Sequence, residues 1–303
     1  MKTLKFRNGD QMDAIGLGTW KSKPGEVKEA IITALESGYK HIDCASVYGN
    51  EKEIGEAFNE VFSKGKIKRE DVWITSKLWN NAHLKNDVAP ALDKTLNDLQ
   101  LDYLDLYLVH WPVAFQPDVQ HPEKPEDYLS PKEAPIEDTW KAMVDLKKAG
   151  KTKHIGVSNF STKKLDDLLS KTDEVPEMNQ VELHPLLQQN ELFEYCSNKG
   201  IHLTGYSPIG SGDRSEGMKQ ENEPNMLENE TIKSIASKHD ASPGQVLINW
   251  SAHRGTAVIP KSTNEGRIKE NLAAAAVNFD EEDLKQLAAM DQHYRYVTGK
   301  FFE

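Results

Sequence analysis

Asp43, Tyr48, Lys77 and His110 are residue types that together could make an acid–base device. A phenol has an ordinary pKa of about 10 and is a poor proton donor near neutrality. An ammonium beside it stabilises the phenolate, so Lys77 next to Tyr48 is expected to lower that value toward use. A buried lysine needs an opposite charge, which Asp43 would supply. His110 could donate a hydrogen bond to a substrate oxygen and orient it. The set describes a general acid aimed at a carbonyl oxygen. Taken singly, each has a blander reading: a structural salt bridge, a packed strand-end histidine before Trp-Pro, a half-buried loop tyrosine. The joint meaning depends on whether the chain brings the four to one place.

The pattern of elements says that it does. Short apolar runs rich in Ile, Val, Leu and Tyr occur at 14–18, 41–45, 71–79, 103–111, 153–160, 176–183, 201–208 and 256–262. Between them lie stretches with apolar residues at helical spacing, such as Val27, Ile31, Ala34 and Leu35. Eight strand–helix units with right-handed crossovers close naturally into a (β/α)₈ TIM barrel of the α/β class, one domain over residues 1–303. Residues 3–13, with Asn-Gly inside a weak alternation, predict a short N-terminal β-hairpin plugging the barrel bottom. Long rim loops are expected at 112–137 and 209–227. In such a barrel the chemistry sits at the C-terminal strand ends. The strands deliver there, in order, Gly18-Thr19-Trp20; Asp43, then Tyr48; Lys77, then Trp79; His110-Trp111; Ser158-Asn159; Asn179-Gln180; Tyr206-Ser207; and Lys261-Ser262. Asp43, Lys77 and His110 thus fall on successive strand ends, with Tyr48 above them.

Composition narrows the partners. A net charge of −11 argues against a nucleic-acid surface. No apolar run approaches the ~18 residues of a membrane span, and residues 1–10 lack a secretory apolar stretch. Two cysteines, Cys44 and Cys196, make no disulfide framework, which points to the cytoplasm. The other nucleotide and metal motifs fail. Gly16-Leu17-Gly18 lacks the later glycine or alanine of a dinucleotide fingerprint, because Lys21 stands there. Gly150-Lys151-Thr152 lacks the upstream glycine of a P-loop, and the ten histidines show no metal-ligand spacing, so no metal is expected.

Against this background the chain resembles the aldo-keto reductase family from end to end. The resemblance rests on GYKHIDCASVYGNEKEIG (38–55), LYLVHWP (106–112), GVSNF (156–160), NQVELHP (179–185), GYSP (205–208) and IPKS (259–262) followed by Arg267. It implies a catalytic tetrad of Asp43, Tyr48, Lys77 and His110, and an NADPH site without a Rossmann fold. Tyr206 would stack on the nicotinamide, with Ser158, Asn159 and Gln180 on its carboxamide. Lys261, Ser262, Arg267 and Asn271 would handle the 2′-phosphate and adenine, with Glu270 on the ribose side. Gly18, Thr19, Trp20, Asp43, Ser207, Ile209, Ser211, Thr263 and Asn264 complete the implied cofactor set. Asn264 stands where many relatives have threonine, and its amide could bond a ribose hydroxyl, which leaves room for NADH.

The substrate implied is a small carbonyl compound, in a pocket walled by Trp20, Tyr48, Trp79, His110, Trp111 and Phe115. The lids would be 112–137, 209–227 and the tail from Tyr294, and the protein is expected to act as a monomer. Arg295 could meet a carboxylate or phosphate, or simply point to solvent. Two other readings stand beside this one. Lys77 could serve as a Schiff-base lysine, though Asp43 would keep its amine charged. The barrel could also be a redox-sensing subunit, against which the complete tetrad argues.

Overall fold

The computed structural model describes residues 1–212, 214 and 219–298. β1 (Thr3–Lys5) and β2 (Gln11–Asp13) pair antiparallel, with Thr3 opposite Asp13. The chain then runs β3 (Leu17–Gly18), α1 (Val27–Glu36), β4 (His41–Asp43), α2 (Glu51–Ser63), β5 (Trp73–Leu78), α3 (Val88–Leu99) and β6 (Leu104–Val109). A two-stranded hairpin, β7 (Ala114–Phe115) with β8 (Tyr128–Leu129), interrupts the long loop before α4 (Ile136–Lys148). There follow β9 (Thr152–Ser158), α5 (Thr162–Leu169), β10 (Met178–Glu182), α6 (Asn190–Lys199) and β11 (His202–Tyr206). The chain ends through α7 (Glu230–Lys238), α8 (Pro243–Arg254), β12 (Ala257–Val258), α9 (Glu265–Ala273) and α10 (Glu281–Ala288).

Eight strands, from β3 through β6 and then β9 to β12, lie side by side and parallel in chain order. The two ends of that sheet meet. Gly16 donates its N–H to the Val258 carbonyl at 2.9 Å, Gly18 to Pro260 at 3.0 Å, and Val258 to Ala14 at 2.7 Å. A parallel sheet closed on itself with helices outside is the (β/α)₈ barrel that the spacing predicts. Its strands are buried on both faces, which is why β5 and β6 read as continuous buried runs rather than alternations. Side chains nevertheless alternate between the interior and the helix layer. In β5, Lys77 turns inward to Asp43, whereas its neighbour Ser76 bonds Glu51 on α2.

The hairpin closes the end of the barrel opposite the site. Phe6 lies 4.6 Å from the Trp73 ring, 4.5 Å from His154 and 5.0 Å from His202, all near the N-terminal ends of their strands. Helices α2 and α3 approach closely enough to exclude any side chain at Gly55: a Cβ there would come within 2.2 Å of the Asp98 carbonyl oxygen. α10 and the β7–β8 hairpin have no counterpart in the sequence reading, for identifiable reasons. α10 buries only Asp283 and Leu287, so its apolar period is faint, and a capping box between Asp280 and Asp283 starts it. β7 and β8 are two residues each, too short for any periodicity. Among the described residues no helix is long and apolar enough to cross a membrane.

Glu51, the first residue of α2, is a buried carboxylate held by hydroxyls: Ser76 donates to it at 2.6 Å and Thr95 at 3.0 Å. Burial pushes its pKa up to about 7, more than those two hydrogen bonds lower it. The folded state therefore binds this proton more tightly than the unfolded chain, so Glu51 contributes stability below about pH 4.5 that is lost as pH rises toward 7. Glu51→Gln is expected to remove that loss. At pH 8 it should be more stable than the native chain by up to about 3 kcal/mol, with little difference at pH 4.5. Urea unfolding at the two pH values checks this.

Candidate active site

The segment HIDCASVYG (41–49) shows how the chain builds half of the site. β4 ends on Asp43, Cys44 beyond it is buried, and Ala45 is extended before one turn of 3₁₀ helix, Ser46–Tyr48. That turn carries Tyr48 over the rim. Gly49, at φ 71°, then reverses the chain into α2, a conformation that a residue with a Cβ adopts only under strain.

Lys77, wholly buried, reaches this segment from β5. Its Nζ donates to Asp43 Oδ1 in a short ion pair, to the Cys44 carbonyl at 2.8 Å and to the Tyr48 hydroxyl at 3.4 Å. The three ammonium protons thus have three acceptors. The second carboxylate oxygen of Asp43 accepts from Gln180 Nε2 at 2.7 Å, which ties β10 to the pair across the barrel. Thr19 fastens the same strand end by donating to the Asp43 carbonyl at 2.8 Å. Burial opposes the charge on Lys77, but Asp43 and Tyr48 outweigh it and hold the ammonium above its ordinary pKa.

The phenol behaves otherwise than the residue types suggest. Burial raises the Tyr48 pKa, and Lys77 offsets only part of that rise because the Asp43 charge beside it works the other way. The expected net lowering is therefore corrected: the phenol stays protonated, the state in which it can give a proton. His110, packed edge-on to Tyr48 at 6.0 Å and to Trp79 at 5.0 Å, is pushed well below the ordinary histidine range by burial and by Lys77. It is a neutral imidazole at physiological pH.

Above these groups opens a cavity of about 1150 Å³. Trp20, Tyr48, Trp79, His110 and Trp111 form one aromatic end of it. Phe115 does not reach the wall: it is buried behind Trp79, 5.9 Å from its ring and braced by Tyr128 at 5.3 Å. Trp79 in turn donates to the Gln120 carbonyl at 2.9 Å, which fixes the loop after β6 against the funnel. Val47, His121, Met226 and Tyr296 also line the cavity, the last three from segments expected as lids, though none was singled out by its type or spacing. Their only signal is that most of them are bulky side chains inside the segments that form its rim.

The floor continues through Gly18, Thr19, Ser158, Asn159, Gln180, Tyr206, Ser207, Ile209 and Ser211 to Lys261, Ser262, Thr263 and Arg267. The amides and hydroxyls here interlock. Ser158 donates to the Gln180 carbonyl at 2.7 Å, Asn159 donates to the His110 carbonyl at 3.0 Å, and Tyr206 donates to Asn159 Oδ1 at 2.8 Å. Asn264, Glu270 and Asn271 are not part of this wall. Asn264 caps α9, its Oδ1 accepting from the Arg267 N–H at 3.0 Å, which places it at the start of that helix. Glu270 meets Gln245 through its backbone carbonyl, and Asn271 is buried in α9. Arg295 lies 3.8 Å from the buried Glu182 carboxylate. Residues 213 and 215–218 of the expected glycine-rich lid, and 299–303 of the tail, lie outside the described residues.

The donor set suits a nicotinamide dinucleotide. A flat aromatic with amides and hydroxyls stands at one end, while Lys261, Arg267 and the start of a nine-residue helix stand at the other. Because the ion pair beneath it is wholly buried, removing one partner strands the other's charge. Lys77→Met is expected to lower folding stability by about 3–5 kcal/mol, with Asp43→Asn in the same background recovering part of the loss. Denaturant unfolding of the single and double variants measures both.

The model of the Aldo/keto reductase family matches residues 14–292 of the chain. The aldo/keto reductase slr0942 of Synechocystis sp. is 50% identical over 302 residues, spanning 100% of this chain and 92% of that protein. Aldo-keto reductase family 1 member A1 of Gallus gallus is 48% identical over 293 residues, 96% of this chain and 89% of that one. Among solved structures, the aldose reductase from Schistosoma japonicum superimposes with a TM-score of 0.88 at 37% identity, covering 97% of this chain and 94% of its own. The chain belongs to the aldo/keto reductase family, oxidoreductases that act on small carbonyl compounds with a nicotinamide cofactor.

Proposed function

We propose that this protein reduces aldehydes, including aldoses and some ketones, to alcohols with NADPH, and that Tyr48 is the general acid. The observation that carries the reading is the wholly buried Lys77 ammonium, which donates to Asp43, the Cys44 carbonyl and the Tyr48 hydroxyl at the floor of an aromatic cavity. Bound NADPH supplies the hydride. The chain's own residues do the rest. Trp20, Trp79 and Trp111 exclude water and pack the carbonyl compound. Neutral His110 donates a hydrogen bond to the carbonyl oxygen and aligns it. Tyr48 gives its proton to that oxygen, and Lys77 stabilises the tyrosinate left behind, while Asp43 keeps the lysine charged. Lys261 and Arg267 would favour a 2′-phosphate over a bare ribose, since each adds a charge-assisted bond. Both cysteines are buried and unpaired, which fits a reducing cytosol.

Tyr48→Phe should bind NADPH as the native chain does and lose a factor of about 10²–10⁴ or more in turnover of a test aldehyde. Cofactor titration by fluorescence together with NADPH absorbance measures the two separately, and most of the turnover surviving would refute the assignment. Arg267→Ala should weaken NADPH by roughly 10–100-fold and leave NADH nearly unchanged. Equal losses for the two cofactors would remove the proposed preference.

A further inference from the structure

Glu182 is a second carboxylate on the inner face of β10, two residues beyond the Gln180 that holds Asp43. It is wholly buried, yet its carboxylate bonds lead away from the ion pair and Tyr48. Most of its partners come from the C-terminal segment. Oε1 accepts from the Tyr296 N–H at 2.6 Å, and Oε2 accepts from the Val297 N–H at 3.0 Å. His184 Nε2 lies 2.9 Å from Oε1, and its ring packs 5.0 Å from that of Tyr296. Upstream, the Leu186 carbonyl takes the N–H groups of Gln292 and Tyr294 at 3.1 and 2.9 Å. Residues 292, 294 and 296 are thus bound in alternation along the β10–α6 turn; the carboxylate takes the Tyr296 and Val297 N–H groups, and the Arg214 guanidinium donates to the Tyr296 carbonyl. The segment it anchors is a wall of the site, because Tyr296, Val297 and Thr298 line the cavity. The Tyr296 hydroxyl passes the constraint on by donating to the Pro224 carbonyl at 2.6 Å, beside the cavity-lining Met226.

We propose that Glu182 is a positioning residue for substrate selectivity: its carboxylate fixes the 296–298 wall and thereby the width of the substrate end. This rests on the carbonyl-reductase reading for its kinetic consequence, but not for its structural one. A carboxylate is an acceptor only and bonds backbone N–H groups strongly. An amide at the same place offers one acceptor oxygen and presents N–H to N–H at the other site.

Amide hydrogen exchange tests the latch without any turnover. In the native chain the Tyr296 and Val297 amides should exchange as slowly as those of β6, and rapid exchange there would overturn the proposal outright. In Glu182→Gln the same two amides should exchange at least about tenfold faster while β6 is unchanged. Unaltered exchange, or acceleration across the whole barrel, would overturn it. In kinetics, the kcat/KM ratio of a small aliphatic to a bulky aromatic aldehyde should move toward one by at least about threefold. That change should lie in KM, with kcat for the small aldehyde within about twofold. A ratio that stays put would refute the role in selectivity. If the native chain turns over no aldehyde at all, the reductase reading fails, and the exchange data alone decide the latch.

Discussion

A lysine and an aspartate, both shut away from water, sit at the centre of this molecule, and most of the site is arranged around keeping them charged. Isolated, either ion would be intolerable in the barrel interior. Paired, they are held by groups from four strand ends: Thr19 beyond β3, Asp43 itself with the Cys44 carbonyl, Lys77 from β5 and Gln180 from β10. The pair needs a closed barrel, because only closure brings β10 within reach of β4. The barrel in turn tolerates the pair because every ammonium proton and both carboxylate oxygens have partners.

The charge balance also decides how the neighbouring groups titrate. With Asp43 beside it, Lys77 does not act on Tyr48 as a bare cation would, and burial keeps the phenol protonated. His110 feels the same lysine and the same burial, and stays neutral. A phenol that holds its proton and an imidazole that stays uncharged suit the proposed reduction, in which a carbonyl oxygen gains negative charge. The protonated phenol and the neutral imidazole thus share one cause, burial.

A second carboxylate one layer higher performs a different task. Glu182 lies on the same face of β10 as Gln180, so one strand serves both the ion pair and the wall that closes the cavity. The period of two along a strand makes this possible. The inward residues at 180 and 182 face the interior in turn, whereas Asn179 before them turns aside to bond the Phe160 carbonyl at 2.8 Å.

The sequence by itself determined the eight strand–helix units, the hairpin plug and the placing of Asp43, Tyr48, Lys77 and His110 near successive strand ends, because each leaves a local trace: apolar period, turn residues, or a polar residue where an apolar run stops. It also placed Gly18, Thr19, Ser158, Asn159, Gln180, Tyr206, Ser207, Lys261 and Ser262 at strand ends, where the cavity gathers them, while Arg267 came in only through the family resemblance. Tertiary structure decided what depends on neighbours distant in the chain. Phe115 was placed behind Trp79 by a hairpin too short to leave a pattern, and Asn264 became a helix cap once α9 began at Glu265. Glu182 found its partners 114 and 115 residues away, at Tyr296 and Val297. The direction of the Tyr48 shift also belongs to the fold, since burial and the net field of two opposite charges exist only once the strands have met. Residue type and spacing report which groups are available; desolvation and partnership, which set what those groups do, are properties of the closed barrel.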